Sequence, residues 1–295
     1  YNFNVTRYPS VAKLFNSPKF TKLAKRVCPA EKQHLDPFQF NFIIQVPGQT
    51  VATHVDGVYF WGATRFQFPQ WLLAAMMFSG LFQDRFVNQV QVVGYVHEWS
   101  NDVSDRKGSF VYWDSEDSGP KSVPPKPRAG SAVDGSKTVH AARVYWPSYK
   151  PMAQIDKNKD THLKYMGDDT WQIVSDGETI ASYSTDDLRI SIVYRARCFA
   201  DESEAQRFTD HLQQQDNLLT LQQVLETFAS DLARRHKVKS AYQAMDMPRY
   251  ELALLILDTY IHYPLSDSIG LPYNYCMLTK LYPSLQGVLS GLCPL

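Results

Sequence analysis

Two histidines and one aspartate have the residue types and the spacing that could bind a metal ion. His54 and Asp56 form a His-x-Asp pair. In a β-strand, residues i and i+2 point to the same side, so a single strand can supply two adjacent ligands. His140 follows a glycine-containing turn and can provide a second imidazole. Two imidazoles and one carboxylate on one face of a metal leave its other positions open, which suits chemistry at Fe(II).

Other histidines compete for these positions. A His-x-Asp pair arises easily by chance, and a second one begins at His34. We favour His54 because it lies between strand-like segments, whereas the pair at His34 runs directly into Pro37. His97 also ends a predicted strand and is the rival of His140 as the third ligand. The sequence leaves that alternative open.

A cationic strand face follows the histidines. The segment 188–199 alternates along most of its length, and one face carries four polar residues: Arg189, Ser191, Arg195 and Arg197. The other face is apolar, which predicts a strand buried on both sides. A buried cation requires an anionic partner, and an arginine beside a hydroxyl matches the two oxygens of a carboxylate.

In this order, the His-x-Asp pair, a distal histidine after a Gly-rich hairpin and a late Arg-x-Ser resemble the Fe(II)/2-oxoglutarate-dependent dioxygenase superfamily. The resemblance covers residues 38–199. It implies that His54, Asp56 and His140 are the catalytic iron ligands, and that Arg189 with Ser191 holds the distal carboxylate of 2-oxoglutarate.

The implied reaction oxidises a C–H bond of a small molecule or a side chain, by hydroxylation or a related oxidation, with release of succinate and CO2. Fe(II) and the co-substrate 2-oxoglutarate are the implied cofactors, and ascorbate is a candidate reductant. The halogenating members lack the carboxylate ligand, so Asp56 favours hydroxylation. Tyr59 and Trp61 follow the motif and are candidates for the substrate pocket.

The spacing before Arg189 departs from the family. There are 49 positions from His140 to Arg189, many more than the family has there, so the resemblance requires an insertion at 147–187. Arg195 is therefore a second candidate for binding 2-oxoglutarate, and Thr50 is a further one.

The strands and helices that the sequence predicts around these residues indicate an α+β fold. We expect a double-stranded β-helix (jelly-roll or cupin-like) core over 38–200, with insertions at 61–86 and 147–187. An N-terminal helical segment, 1–37, precedes it, and a helical region, 201–295, packs on it. Pro69 to Phe82 is predicted to be a helix. Hairpins are expected at 131–146, around Asp134-Gly135, and at 171–183.

The amino-acid composition limits which kinds of partner this protein is expected to bind. The chain has 30 basic and 30 acidic residues among 295, a net charge of zero, which disfavours nucleic acid without excluding it. The apolar runs are too short to span a bilayer. The four cysteines form no CxxC pair, so neither a zinc knuckle nor a dense disulfide scaffold is expected.

Several questions stay open at this point. The cytoplasm is favoured as the location, and the oligomeric state is not predicted. The chain has no N-terminal Met and no signal-peptide pattern, so it is expected to be a piece or a processed form. The alternative functions are a cupin-type metalloenzyme that does not use 2-oxoglutarate, a nucleic-acid base oxygenase and an inactive binding domain.

Overall fold

Two four-stranded antiparallel sheets face each other and form the centre of the protein. The computed structural model describes residues 7–99, 108–115, 118–147, 150, 152–214, 217–263 and 284. The strands are β1 (His34–Gln45), β2 (Val51–His54), β3 (Tyr59–Phe60), β4 (Phe86–Val87), β5 (Gln89–Tyr95), β6 (Phe110–Tyr112), β7 (Lys121–Val123), β8 (Gly130–Val133), β9 (His140–Ala142), β10 (Thr161–Gly167), β11 (Thr170–Ser175), β12 (Glu178–Tyr183) and β13 (Arg189–Phe199). The helices are α1 (Pro9–Phe15), α2 (Pro18–Lys25), α3 (Gln70–Ser79), α4 (Glu202–Gln214), α5 (Leu221–Arg234), α6 (Ala241–Asp246) and α7 (Arg249–Tyr260).

The larger sheet has the order β1-β13-β5-β8 and the smaller one the order β2-β9-β6-β7. Successive strands pass back and forth between these sheets, and all the pairs within them are antiparallel. The structure thus confirms a fold of antiparallel sheets flanked by helices.

Both faces of β13 are covered, as its alternation predicts. The apolar side chains Ile192, Tyr194, Ala196 and Cys198 pack against the N-terminal helices in one hydrophobic cluster. The polar face, with Arg189, Ser191 and Arg195, lines a cavity between the two sheets. Strand β13 packs in the outer hydrophobic cluster with one face and lines the inner cavity with the other. Its arginines are therefore held in a fixed position between the two sheets.

A second cluster packs the helices on the outside of the smaller sheet. Val111, Trp113 and Val139 contact the buried faces of α3, α5 and α7. The predicted helix at Pro69–Phe82 is confirmed as α3, and its buried apolar residues lie in this cluster. Within the region 201–295, which is predicted to be helical, the structure contains α4, α5, α6 and α7.

The hairpin expected at 131–146 is wrong. β8 pairs with β5 in the larger sheet, whereas β9 pairs with β2 and β6 in the smaller one. The Asp134-Gly135 turn therefore crosses between the sheets, and the Asp134 carboxylate accepts hydrogen bonds from the Ser136 amide and hydroxyl. A local turn signal cannot distinguish a hairpin from such a crossing, because the flanking strands choose their partners by tertiary packing.

Residues 161–183, within the insertion predicted at 147–187, form a separate three-stranded sheet of order β10-β11-β12. The hairpin predicted at 171–183 is confirmed as β11 and β12, whereas β10 was not predicted. This sheet packs on the start of β13 through Ile173, Tyr183 and Leu188.

A disulfide joins Cys28, just after α2, to Cys198 in β13. It connects the N-terminal helices covalently to the larger sheet. Disulfides persist mainly in oxidising compartments, so this bond was not expected for a cytoplasmic protein. Among the described residues, no helix is long and apolar enough to cross a membrane.

Candidate metal centre

Three potential ligands converge between the two sheets. His54 is the last residue of β2 and lies directly opposite His140, the first residue of β9. Asp56 follows two residues later, and its carboxylate oxygens lie 3.7 Å from His54 Nε2 and 3.9 Å from His140 Nε2. One ligating atom from each of the three residues lies within 4.8 Å of the other two. This spacing allows a single metal ion to contact all three.

Backbone carbonyls fix the tautomer of both imidazoles. His54 Nδ1 donates to the Ala52 carbonyl at 2.7 Å, and His140 Nδ1 donates to the Thr138 carbonyl at 2.8 Å. A carbonyl oxygen only accepts, so the neutral rings carry their proton on Nδ1 and present the lone pair of Nε2 to the centre. Outer hydrogen bonds of this kind orient histidine ligands in metal sites.

The carboxylate of Asp56 has one paired and one unpaired oxygen. Arg195 Nη2 donates to Oδ1 at 2.5 Å, whereas Oδ2 is buried and has no hydrogen-bond partner among the described residues. A buried carboxylate oxygen without a partner is costly, and a cation bound at Oδ2 would remove that cost. The donor set and this oxygen both fit a divalent metal ion.

Gly135 closes the centre from the crossing turn. Its carbonyl accepts a hydrogen bond from the Asp56 amide at 2.8 Å. A Cβ atom at Gly135 would stand 2.0 Å from Asp56 Oδ2, so no other residue fits without moving the carboxylate. The glycine is thus required by close approach to the metal ligand, not by an unusual backbone angle.

A row of polar side chains on the larger sheet supports the ligands. Gln39, Arg195 and Gln91 are opposite one another on β1, β13 and β5. Arg195 donates to Gln39 Oε1 at 3.1 Å and to Gln91 Oε1 at 2.6 Å. The Gln91 amide donates in turn to His140 Nε2 at 3.3 Å. The row therefore connects the Asp56 carboxylate to His140, and the Gln91 amide occupies the Nε2 lone pair that a metal ion would take.

The protonation of the centre follows from its burial and charges. Burial raises the pKa of the Asp56 carboxyl, but the contact with His54 and the charge of Arg195 outweigh it, so this pKa is lowered. Burial lowers the pKa of His140. Burial also opposes the charged form of His54, yet its contacts with Asp56 and the Ala52 carbonyl raise its pKa overall.

The centre opens into a cavity of about 120 Å³ between the sheets. Its walls are mainly apolar, including Ile43, Val93, Phe110 and Val193, and Arg189 and Ser191 also line it. Such a cavity is large enough only for a small ligand.

Arg189 is a buried cation with neutral partners only. Its guanidinium donates to Gln45 Oε1 and to the Tyr95 hydroxyl, the latter at 3.2 Å. Its Nε has no partner, and no carboxylate lies within 4.0 Å of it in the described part of the chain. Burial lowers the pKa of Arg189. An anionic ligand in the cavity would neutralise this charge.

The other residues singled out in the sequence lie elsewhere. The Thr50 hydroxyl donates to the Ala142 carbonyl at 2.6 Å, and Thr50 does not line the cavity. Tyr59 and Trp61 pack against Phe208 in a hydrophobic cluster and do not line it either. His97, the rival third ligand, is buried, stacks on Trp99 and is not part of the metal-binding group.

Sequence reasoning missed Gln39, Gln91 and Gly135. A usable signal was present for the glutamines, because each alternates with apolar residues along its strand and so belongs to a polar face of that strand. Gly135 was read only as a turn residue. Its contact with Asp56 joins segments about 80 positions apart and leaves no local mark.

Comparison with known proteins adds little. No protein-family model matches the sequence, and no curated protein matches it. Among solved structures, the chain is similar to an oxidoreductase of the 2OG-Fe(II) oxygenase family from Burkholderia pseudomallei, with a TM-score of 0.34 and 9% identity. The match covers 64% of this chain and 55% of the other, so the chain spans about half the length of that protein. A likeness at this level carries no argument about function.

Proposed function

We propose that this protein is an Fe(II)- and 2-oxoglutarate-dependent oxygenase. One observation supports this most directly: a His-Asp-His group lines the same small cavity as a buried arginine that has no carboxylate partner among the described residues. The first fits a divalent metal and the second fits a carboxylate, and a co-substrate that is both a chelator and an anion would satisfy both. 2-Oxoglutarate has these properties.

The strand order supports a double-stranded β-helix as the core. Strands β1, β2, β5, β6, β7, β8, β9 and β13 alternate between two facing sheets, apart from the β6–β7 hairpin. This is the arrangement of a jelly roll, in which the chain winds around a central cavity. In this interpretation β3–α3–β4 and β10–β12 are insertions, as the sequence predicts for 61–86 and 147–187.

His54, Asp56 and His140 would hold the iron through two Nε2 atoms and Oδ2. When bound, iron supplies the O2-dependent oxidation of a C–H bond, coupled to decarboxylation of 2-oxoglutarate to succinate. Arg195 keeps Asp56 ionised and turned so that Oδ2 faces the centre. Gln91 accepts a hydrogen bond from Arg195 Nε and so holds the arginine against Asp56, whereas its amide would give up the Nε2 lone pair of His140 to the metal. The apolar cavity walls exclude water from the reacting atoms.

The geometry favours Arg189 over Arg195 as the residue that binds the co-substrate carboxylate. Arg195 already has Asp56, Gln39 and Gln91 as partners. Arg189 has an unpartnered Nε and no carboxylate partner among the described residues. Ser191 lies two residues along the same face and adds a hydroxyl donor, in the Arg-x-Ser pattern that the sequence predicts.

A second cleft, of about 340 Å³, is our candidate for the site of the oxidised substrate. Tyr112 lines it and lies directly opposite His140 in the β6–β9 pair. Thr138, whose carbonyl orients His140, lines it too. The Cα atoms of opposite residues in antiparallel strands are about 5 Å apart, so this cleft lies next to the strand that carries His140. The mixed polar and apolar wall suits a small molecule or an amino-acid side chain.

The test is spectroscopic and anaerobic. Fe(II) and 2-oxoglutarate are added to the purified chain, and we expect a visible metal-to-ligand charge-transfer band and, after O2 is admitted, succinate release. His54→Ala should abolish the band through loss of metal. Arg189→Ala should bind Fe(II) normally but form the band only at much higher 2-oxoglutarate concentration.

Two results would refute parts of the proposal. Tight Fe(II) binding without any band at saturating 2-oxoglutarate would favour a metalloenzyme that does not use this co-substrate. If the folded protein does not bind Fe(II), the alternative that remains is an inactive domain that binds a partner.

A further inference from the structure

The N-terminal helices carry a concentrated positive charge that the metal centre does not explain. Between positions 7 and 30 the chain has six basic residues and no acidic one: Arg7, Lys13, Lys19, Lys22, Lys25 and Arg26. The rest of the chain balances this excess, since the whole protein has net charge zero. The charge is therefore segregated onto one part of the surface.

Helix α2 separates its residues into two faces. Lys19, Lys22, Leu23 and Arg26 are spaced i, i+3, i+4 and i+7, which places them on one side of the helix, and all four are exposed. The opposite side holds Ala24, which packs into the cluster around β13. Together with Lys13 and Leu14 of α1, these four residues form what we call the basic face.

The basic face has no internal counter-charge. In the described part of the chain, no carboxylate lies within 4.0 Å of any of its four cations. Solvated lysines are common on protein surfaces, but a run of six cations without an acid repels itself and attracts anions.

Two exposed leucines lie among these cations. Leu14 and Leu23 are 47% and 45% exposed. The Cys28–Cys198 disulfide and the packing of Phe15 and Ala24 hold the helices against the larger sheet. The leucines therefore cannot turn inward without breaking that packing.

We propose that the basic face docks on the surface of a membrane that contains anionic lipids. The lysines and Arg26 would contact the headgroups, and Leu14 and Leu23 would enter the boundary of the acyl chains, as in interfacial amphipathic helices. A polynucleotide would meet the same charges but would gain nothing from the leucines, so the lipid surface fits better. The attachment is peripheral, since α2 is only eight residues long. This inference does not depend on the proposed oxygenase activity.

The test measures co-sedimentation of the full chain with phosphatidylcholine vesicles, with and without phosphatidylserine. We expect binding only to the vesicles with phosphatidylserine, and weaker binding at high salt. Neutralising Lys19, Lys22 and Arg26 to alanine should weaken it about 100-fold, since each cation contributes about fivefold. The matched control, Lys157→Ala with Lys159→Ala and Lys164→Ala, removes the same charge from exposed positions elsewhere and should bind like the wild type.

A second pair of changes separates lipid from polynucleotide. Leu14→Ala with Leu23→Ala should weaken vesicle binding at least several-fold and leave retention on double-stranded DNA unchanged. The proposal is overturned if phosphatidylserine makes no difference, if the triple variant binds like its control, or if DNA binds more tightly than vesicles and the leucine changes have no effect. Unchanged circular dichroism verifies that each variant is folded.

Discussion

The sharpest test of the metal centre is the substitution Gly135→Ala. An alanine methyl carbon would stand 2.0 Å from Asp56 Oδ2 and 3.0 Å from its Cγ, and real methyl carbons essentially never approach other heavy atoms below 3.0 Å. The backbone of Gly135 does not have a positive φ, so alanine is not excluded by backbone strain. The clash with the carboxylate is the only cost.

The size of the effect follows from the geometry. Oδ2 must retreat by about 1 Å, whereas metal–ligand distances are fixed to within about 0.2 Å. The carboxylate cannot simply rotate, because Arg195 holds Oδ1 and the Asp56 amide is bonded to the Gly135 carbonyl. A misplacement of about 1 Å at a functional group costs about 100-fold, or about 2.7 kcal/mol of Fe(II) binding free energy. Overpacking should also destabilise the metal-free protein by about 1–3 kcal/mol.

The assay is Fe(II) affinity by chelator competition under anaerobic conditions, together with thermal unfolding. Gly57→Ala is the matched control: it lies next to Asp56, its φ is not positive, and the added Cβ meets nothing within 4 Å. We expect the control to bind Fe(II) like the wild type. A folded Gly135→Ala protein with unchanged affinity would show that Oδ2 is not a ligand. Equal loss in both variants would show that the affinity depends on these loops and not on the contact with Oδ2.

Four further predictions concern the surrounding residues. Gln91→Leu should weaken Fe(II) affinity about 10- to 100-fold, as measured by chelator competition, because it leaves Arg195 Nε without its acceptor and so loosens the arginine that orients Asp56. Arg189→Lys should raise the KM for 2-oxoglutarate about 10- to 100-fold in succinate-release assays without changing Fe(II) affinity, since lysine lacks the planar fork. Near pH 6.5, Fe(II) binding should release protons, as seen by calorimetry in two buffers, and most of them should come from His54, because the pKa of His54 is raised whereas that of His140 is lowered. Cys198→Ser should lower the free energy of unfolding by about 2–5 kcal/mol in urea titrations and leave Fe(II) affinity unchanged.

Specific outcomes would contradict each of these expectations. Unchanged Fe(II) affinity in Gln91→Leu would mean that Gln91 does not position Arg195. A KM for 2-oxoglutarate that is unaffected by Arg189→Lys would indicate that Arg195, and not Arg189, binds the carboxylate of 2-oxoglutarate. His54 must lose its proton to bind Fe(II), so the Fe(II) affinity should fall as pH falls through the pKa of His54. An Fe(II) affinity independent of pH would exclude His54 as a ligand. Equal urea midpoints for wild type and Cys198→Ser would show that the disulfide does not stabilise the fold.

The sequence by itself determined which residues share a face. Alternation along a strand has a period of two regardless of context, so the shared face of Arg189 and Ser191 follows from spacing alone. Strand β2 ends at His54, and the hydrogen bond of the Asp56 amide to the Gly135 carbonyl places Asp56 beside it. The C-terminal helices were likewise predictable from apolar residues recurring at three-to-four spacing.

Only the tertiary structure decided how these faces meet. His54 and His140 are 86 positions apart, and their pairing depends on the register of β2 with β9. The choice between Arg189 and Arg195 rests on contacts across two sheets that no local pattern reports. The same holds for the turn at Asp134-Gly135, which crosses between sheets instead of closing a hairpin. Local sequence sets the direction of a side chain, whereas its partner is selected by packing and hydrogen bonding between distant segments.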